Sequence, residues 1–446
     1  MDNSGMYVGL DIGTTSIKVI VAESVKGQVN VIGVGNERSD GISRGVIVDI
    51  DKAANAIRSA VKQAEEKASI QIHDVIVGLP ANLLKIESCS GMMVLADSSR
   101  EITSSDVRDV ALSALTQNLP PERQVLDIIP QQFTVDGFDG IKDPRGMVGV
   151  RLEMTGTLFT GPKTIMHNTK KAVEQAGLHI RGTVINSLAE GHTVLNDGEQ
   201  DFGTVVLDFG GGQTGASVIH DHQLKYADVD QEGGQFITKD ISVVLNTSLD
   251  SAEKLKRDYG YAFAEEASDD EEFPVDVVGQ SQPMVISERY LAEIIEARLD
   301  QILGQIGERL DKIGALDLPG GVVITGGVAA LPGMIDLVSD RFGVTVREFI
   351  PDQMGLRHPS FTLPLSLVSY FSSLNEIDLI VKSALTGQTD LVDTLDEQRV
   401  AQAHQVEEAS QQQVTERSTR QRPQKQPRNK KNRTDGIRKF FSDFFD

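Results

Sequence analysis

Two stretches far apart in the chain set an aspartate two residues ahead of a glycine turn. The first reads Gly9-Leu10-Asp11-Ile12-Gly13-Thr14-Thr15-Ser16 and the second Leu207-Asp208-Phe209-Gly210-Gly211-Gly212-Gln213-Thr214. Without a Cβ, glycine brings backbone N–H groups close to an anion, which is the chemistry of a phosphate cradle. A divalent cation neutralising those phosphates needs hard oxygen ligands, often through water, and Asp11 and Asp208 would supply them. Lys18 could reach a terminal phosphate. A third turn, Gly326-Gly327, follows an apolar run and would let backbone approach a flat ligand. Each turn alone is equally consistent with an ordinary tight hairpin. Two with the same Asp-to-Gly offset, plus the third, point to a nucleotide held between two jaws.

The elements that must position these turns are short strands. After each turn the chain alternates apolar and polar residues, Ile17-Lys18-Val19-Ile20-Val21 and Ala216-Ser217-Val218-Ile219. Each turn is therefore expected to bend a hairpin rather than open a helix, which excludes the dinucleotide-fold and P-loop readings. The two aspartates lie 197 residues apart, a plausible length for one domain, so two related α/β halves are expected to face each other. Helical periodicity places Ala53, Ile57, Ala60, Val61 and Ala64 on one face of residues 51–69. It does the same for Leu291, Ile294, Ile295, Leu299, Ile302, Ile306, Leu310 and Ile313 within residues 287–314. Residues 321–325 read as a strand, with a helix starting near Gly333, and the acidic run 265–272 reads as a solvated loop.

The chain of 446 residues is 39% hydrophobic, enough for two or more domains with cores of their own. Its net charge of -22 is uneven: residues 1–385 carry 32 basic against 55 acidic side chains, and residues 386–446 carry 11 against 10. So acidic a body argues against nucleic acid as a partner. Lone Cys89 excludes an internal disulfide and reads as a small buried hydrophobe. Apolar runs fall short of the roughly 20 residues that cross a bilayer, and no basic-then-apolar secretion signal opens the chain, so a cytoplasmic protein is expected.

Beyond residue 385 the chain is Gln, Ser, Thr, Arg and Pro, a composition unable to bury enough surface to offset ordering entropy. As a random coil of about 50 residues it would span roughly 35–45 Å. It ends in Ile437, Phe440, Phe441, Phe444 and Phe445 at helical spacing, with Arg438 and Lys439 alongside. That is an amphipathic helix suited to a lipid surface, and the basic strip before it suits anionic headgroups. Full burial of each large apolar side chain would give about 1.5–3 kcal/mol. Interfacial burial gives less, so one hook binds reversibly and many in a filament gain avidity.

The order of the three turns is similar to that of the actin, Hsp70 and sugar-kinase superfamily. The finer text, residues 9–15, 41–50 (GISRGVIVDI) and 139–153 (DGIKDPRGMVGVRLE) with the amphipathic C-terminus, resembles the FtsA family of bacterial cell-division actin homologues. That resemblance covers nearly all of residues 6–385 and the terminal helix. It implies an α/β, actin-like (ribonuclease H-like) two-domain fold with duplicated sheets around a nucleotide cleft. Residues 1–83 and 164–200 would form subdomain 1A, and 84–163 an inserted subdomain 1C in place of 1B. Residues 201–231 and 315–385 would form 2A, 232–314 subdomain 2B, 386–434 a disordered linker, and 435–446 the membrane-targeting helix. ATP and Mg2+ would be held by Gly13, Thr14, Thr15, Lys18, Gly210, Gly211, Gly212, Gln213, Thr214, Gly233, Gly234, Gly326 and Gly327, with Asp11 and Asp208 toward the metal.

The resemblance further implies actin-like filaments that anchor FtsZ to the cytoplasmic face of the cell membrane at the division site, peripherally. The FtsZ C-terminal tail would dock near Glu296 and Arg298, and later division proteins on subdomain 1C. Two departures stand out. Asn186-Ser187 occupies the place where relatives carry a Glu-Pro pair, so no residue able to orient an attacking water is evident. A scaffold with slow or negligible ATP turnover is therefore expected rather than an enzyme. Leu363-Pro364-Leu365-Ser366-Leu367 also lacks the small residues usual near the end of the core. The alternative is a membrane-associated small-molecule kinase of the same superfamily, for which no catalytic carboxylate can be nominated.

Overall fold

A computed structural model of the protein describes residues 5–95, 100–116 and 119–386. The linker and the hook of Ile437, Arg438, Lys439, Phe440, Phe441, Phe444 and Phe445 lie outside the described residues. The chain opens with an antiparallel meander, β1 (Gly5–Ile12), β2 (Ser16–Val25) and β3 (Gln28–Arg38). A small hairpin of β4 (Ile42–Ser43) and β5 (Val46–Ile47) follows. Helix α1 (Ile50–Ala68) starts where the Asp49 carboxylate accepts the Lys52 N–H, and stops at Ser69 in the left-handed region. The face expected from its periodicity is the buried one. Alanine there lets α1 lie directly on β3: a Cβ at Gly35 would stand 1.8 Å from the Ala60 carbonyl oxygen. Strand β6 (Asp74–Leu79) then runs parallel to β1.

A separate module interrupts this half. It comprises β7 (Lys85–Val94), α2 (Ser104–Leu115), β8 (Arg123–Val135), β9 (Phe138–Ile141) and β10 (Arg151–Pro162), in a four-stranded sheet of order β7-β10-β8-β9. Thr103 and Asp106 form a capping box at the head of α2, and Cys89 is buried and unpaired as a thiol on β7. The first sheet resumes through α3 (Lys163–Gln175) and β11 (His179–Ile185), which gives the order β11-β6-β1-β2-β3, and α4 (Asn186–Val194) and α5 (Asp197–Phe202) follow.

The second half repeats the scheme. Strands β12 (Thr204–Phe209), β13 (Thr214–His220) and β14 (Gln223–Asp230) form a meander, followed by α6 (Gly234–Val244) and α7 (Leu249–Tyr259). A hairpin of β15 (Glu272–Val275) and β16 (Met284–Ser287) leads to α8 (Glu288–Asp311). Then come β17 (Val322–Thr325), parallel to β12, α9 (Met334–Phe342) and β18 (Val346–Glu348). The chain then crosses back, against the expectation that residues 315–385 stay with the second half: α10 (Thr362–Ser373) packs on β1 and α4, because its apolar face joins the first sheet's core, and α11 (Glu376–Thr386) packs on α2 and β8 of the inserted module. The order β14-β13-β12-β17-β18 matches the first sheet strand for strand, so the duplication read from the two glycine turns extends to the whole topology. One apolar core, around Leu10, Val19, Ile57 and Val77, fills the first half. Another, around Leu207, Ile237, Leu299 and Ile324, fills the second.

One further expectation is corrected, and another holds except at its last residue. Helix α8 ends at Asp311, so Ile313 falls in the following turn and is 50% exposed rather than continuing the buried stripe. The acidic run is exposed except for buried Ala267 and half-buried Ser268, and its last member, Glu272, is the first residue of β15. Among the described residues no helix is long and apolar enough to cross a membrane.

Candidate functional site

Between the halves lies a cavity of about 680 Å³ lined by both glycine hairpins. Asp11, Gly13, Thr14, Thr15 and Lys18 enter it from the β1–β2 bend, and Asp208, Gly210, Gly211, Gly212 and Gln213 from the β12–β13 bend. Gly234 at the head of α6 and Gly326 and Gly327 after β17 complete the expected set. Two expected residues stand apart from the lining. The Thr214 side chain is fully buried and donates its hydroxyl to the Glu232 carbonyl, and Gly233 backs the second turn, where a Cβ would fall 2.5 Å from the Gly210 carbonyl oxygen.

The two turns fit into each other. A Cβ on Gly211 would stand 2.4 Å from Thr15 Cγ2, and one on Gly212 within 2.6 Å of Thr14 Cβ, Cγ2 and Oγ1. The threonines of the first turn thus occupy the space that glycines of the second leave vacant. Gly326, at φ +93, does the same for Asp208: its Cβ would lie 2.3 Å from Oδ1. The missing small residues near 363–367 are made up on the opposite surface, where a Cβ at Gly9 would meet the Pro364 carbonyl at 2.7 Å. Leucines on α10 therefore do not prevent its close approach to β1.

At the end of the cavity formed by the two glycine turns, Lys18 stands alone among the lining residues against Asp11 and Asp208. Burial raises the Asp11 carboxyl above the usual range, and Lys18, with Nζ 3.6 Å away, offsets part of that. Asp208, open only toward the cleft, is pushed up to about 6, first by burial and then by the charge of Asp11. Sequence reasoning missed a third acid. Glu190 lies on α4 one turn beyond cavity-lining Asn186, and its Oε1 is buried without a hydrogen-bond partner among the described residues. Burial first, then Asp208 and Asp11, hold its carboxyl well above the normal range. Orphaned acceptors and raised carboxylates are what a bound cation would relieve, so Asp11 and Asp208 fit the outer ligands of a hydrated divalent ion. Among the described residues no three His, Cys, Asp or Glu side chains converge as a dry metal cage, so water would complete the shell.

The opposite end of the cavity was also missed. Glu253, Lys256 and Arg257 line it from one face of α7, together with His358, Ser360 and Phe361 before α10. Lys256 Nζ donates to the Gly234 carbonyl at 3.0 Å, to Thr238 Oγ1 at 2.8 Å and to Glu253 Oε2 at 2.7 Å. The available signal was Glu-x-x-Lys-Arg at helical spacing, two acid-to-base pairs on one short helix. Glu296 and Arg298, expected to meet a partner, are engaged within the chain. Glu296 accepts the Ala264 N–H at 2.7 Å and pairs with Arg341, and Arg298 is clamped by Asp240 and Glu232 at 2.6 and 2.8 Å.

Comparison with known proteins agrees with this architecture. Three family profiles match: "Cell division protein FtsA" over residues 205–366, "SHS2 domain inserted in FTSA" over 82–160 and "Cell division protein FtsA, C-terminal" over 377–446. Cell division protein FtsA of Enterococcus hirae is 60% identical over 87% of this chain and 88% of its own length. That of Bacillus subtilis (strain 168) is 42% identical over 83% and 84%. Among solved structures, a PilM-PilN type IV pilus biogenesis complex aligns with TM-score 0.56 at 15% identity, over 83% of this chain and 99% of that one. MreB5 of Spiroplasma citri bound to ADP aligns with TM-score 0.54 at 12% identity, over 86% and 100%. These structural likenesses show an actin-like fold.

Proposed function

This chain belongs to the FtsA family of cell division proteins, and from that membership we propose that it is an ATP-binding scaffold that polymerises and ties FtsZ filaments to the membrane at the division site. The observation that carries the nucleotide half of the reading is the cavity itself. Two glycine turns offer backbone N–H groups, Lys18 a cation, and Asp11 and Asp208 a seat for hydrated Mg2+. The charged face of α7 and the Gly326-Gly327 turn would bracket the nucleoside. Bound nucleotide, with its metal, would supply the charge balance that these buried acids lack.

In this reading the two matching sheets are subdomains 1A and 2A, the four-stranded module is 1C, and α6, α7, α8 and the β15–β16 hairpin make up 2B. The FtsZ tail would meet 2B near Glu296 and Arg298 and displace intramolecular ion pairs there. Attachment to anionic lipid on the cytoplasmic face would come from residues 435–446, peripherally, with later division proteins on 1C. ATP acts as a conformational ligand with slow turnover. The kinase alternative is not favoured, since the relatives this chain matches over most of its length are cell division proteins.

The test is co-sedimentation of the full chain with anionic vesicles, in the presence and absence of MgATP and an FtsZ C-terminal tail peptide. Pelleting with lipid, retention of the peptide and filaments under MgATP are expected. Rapid ATP consumption with a sugar substrate, or no binding of peptide and lipid, would overturn the reading.

A further inference from the structure

The hairpin of β4 and β5 turns through the left-handed region of the backbone. Its two tip residues, Arg44 and Gly45, have φ of +48 and +72, the geometry of a tight two-residue turn in which Asn-Gly is the usual pair. An arginine is disfavoured in the left-handed region, where its Cβ crowds the backbone. What it gains is reach. Arg44 donates from its guanidinium to Gln231 Oε1 at 3.1 Å and lies 5.6 Å from the centre of the Phe236 ring, both in the second half of the molecule.

The segment it grasps belongs to the second glycine turn. The Gly234 N–H donates to the Gly210 carbonyl at 3.0 Å and the Gln235 N–H to the Gly211 carbonyl at 2.7 Å. Gly45 meanwhile touches both turns directly. Its N–H donates to Thr14 Oγ1 at 2.9 Å, and a Cβ on it would stand 2.3 Å from Gln213 Oε1. Since the Thr14 oxygen accepts from Gly45, the hydroxyl proton of Thr14 is left to donate elsewhere, and Thr14 lines the cleft. The hairpin is held to its own half through the Arg44 carbonyl, which accepts from Asn82 Nδ2 at 3.5 Å.

We propose that the Arg44-Gly45 tip is a positioning clasp across the cleft: Gly45 aims the Thr14 hydroxyl at the phosphates, and Arg44 ties the first half to the second so that nucleotide leaves only when the tie opens. This rests on the nucleotide reading above and adds the device that gates it. The geometry makes Arg44 and Gln231 act as one unit. Loss of either partner releases the same hydrogen bond, loss of Arg44 releases its ring contact as well, and loss of both does no more damage than loss of Arg44 alone.

The experiment is stopped-flow release of a fluorescent ATP analogue from the full chain and from Arg44→Ala, Gln231→Ala, the double variant and Arg44→Lys. Arg44 and Gln231 are exposed, so these variants fold, which an unchanged thermal midpoint verifies. Release about three- to tenfold faster is expected for Arg44→Ala, the value of one charged hydrogen bond plus a ring contact. Gln231→Ala should share the hydrogen-bond part, the double variant should be no faster than Arg44→Ala, and Arg44→Lys should recover part of the loss. Wild-type release rates in both single variants, or effects that multiply in the double, overturn the clasp and leave the nucleotide reading standing. A wild-type chain that fails to bind the analogue overturns both.

Discussion

The two glycine hairpins have the same strand order and the same Asp-to-Gly offset, yet they solve different problems. The first turn is built of hydroxyls and keeps a cation, Lys18, beside its acid. The second is bare glycine, and no side chain of its own balances Asp208, which is pushed up to about 6. Thr14 and Thr15 fill what Gly212 and Gly211 leave open. A duplicated motif has thus diverged into a filled member and an empty one, and the fit between them sets the width of the phosphate end of the cleft.

Breaking that fit should have the largest effect. Gly212→Ala places a methyl against the whole Thr14 side chain, Cβ included at 2.6 Å. A loss of about 100-fold in ATP affinity is expected by calorimetry. Thr14→Gly should recover in the double variant the part of the loss due to the clash but not the part carried by the Thr14 hydroxyl, whereas Thr14→Ala should recover neither, because its Cβ remains in place. Gly211→Ala should cost less, about tenfold, since exposed Thr15 can yield and its Cβ is 3.0 Å away. If both glycine variants bind ATP normally, the turns are not in mutual contact in solution.

Removing the cation of the filled turn comes next. Lys18→Met leaves Asp11 without its partner in a buried setting, and about 2 kcal/mol of stability is expected to be lost at pH 7 in urea unfolding, softened by water in the cleft. At pH 5 the loss should shrink, since the carboxyls facing the vacated space have raised values and take up protons. Equal losses at both pH values would mean that Lys18 stabilises by packing alone.

The empty turn should show itself in the pH profile of the nucleotide-free chain. The Asp208 carboxyl lies near 6 when folded and at 3.8 in a free chain, so folding favours its protonated form. That contribution is complete below about pH 4 and is lost as pH rises through about 6. On the order of 1 kcal/mol should disappear between pH 4 and 7, discounted because Asp208 is partly open to the cleft. Asp208→Asn should flatten the slope in thermal unfolding, and MgATP should flatten it in the wild-type chain. A slope unchanged by Asp208→Asn would place the titrating group elsewhere.

What could be read from the chain, and what could not, follows the same division. Local patterns were legible: the Asp-x-Gly turns, the alternation after each, and the alanine face of α1 all reappear in place. Positions fixed by long-range contact were not. Glu190 lies in an ordinary-looking helical run, and only its approach to two aspartates from other strands makes it part of the site. The expected partner residues Glu296 and Arg298 looked free because Ala264, Arg341, Asp240 and Glu232, which engage them, come from distant segments. Ile313 failed for a local reason: helical periodicity does not announce where a helix stops without a glycine at its end, and here Gly314 follows one residue too late.

Glu190 supplies the smallest effect and the sharpest distinction. Burial first, then the charges of Asp208 and Asp11, hold its carboxyl well above the normal range, so its surroundings favour the neutral form. Glutamine has the shape of that neutral form. Glu190→Gln should therefore change stability by less than about 0.5 kcal/mol at pH 7 and leave ATP affinity intact. Glu190→Ala, which empties the space, should cost about 2 kcal/mol. The pair also bears on turnover, because Glu190 lies one helical turn from cavity-lining Asn186. If the carboxyl oriented the attacking water as a base, the glutamine variant would lose whatever slow hydrolysis the wild type shows. The expectation is that single-turnover hydrolysis stays unchanged, because Glu190 is buried and lies outside the cavity lining, without access to a water in the cleft.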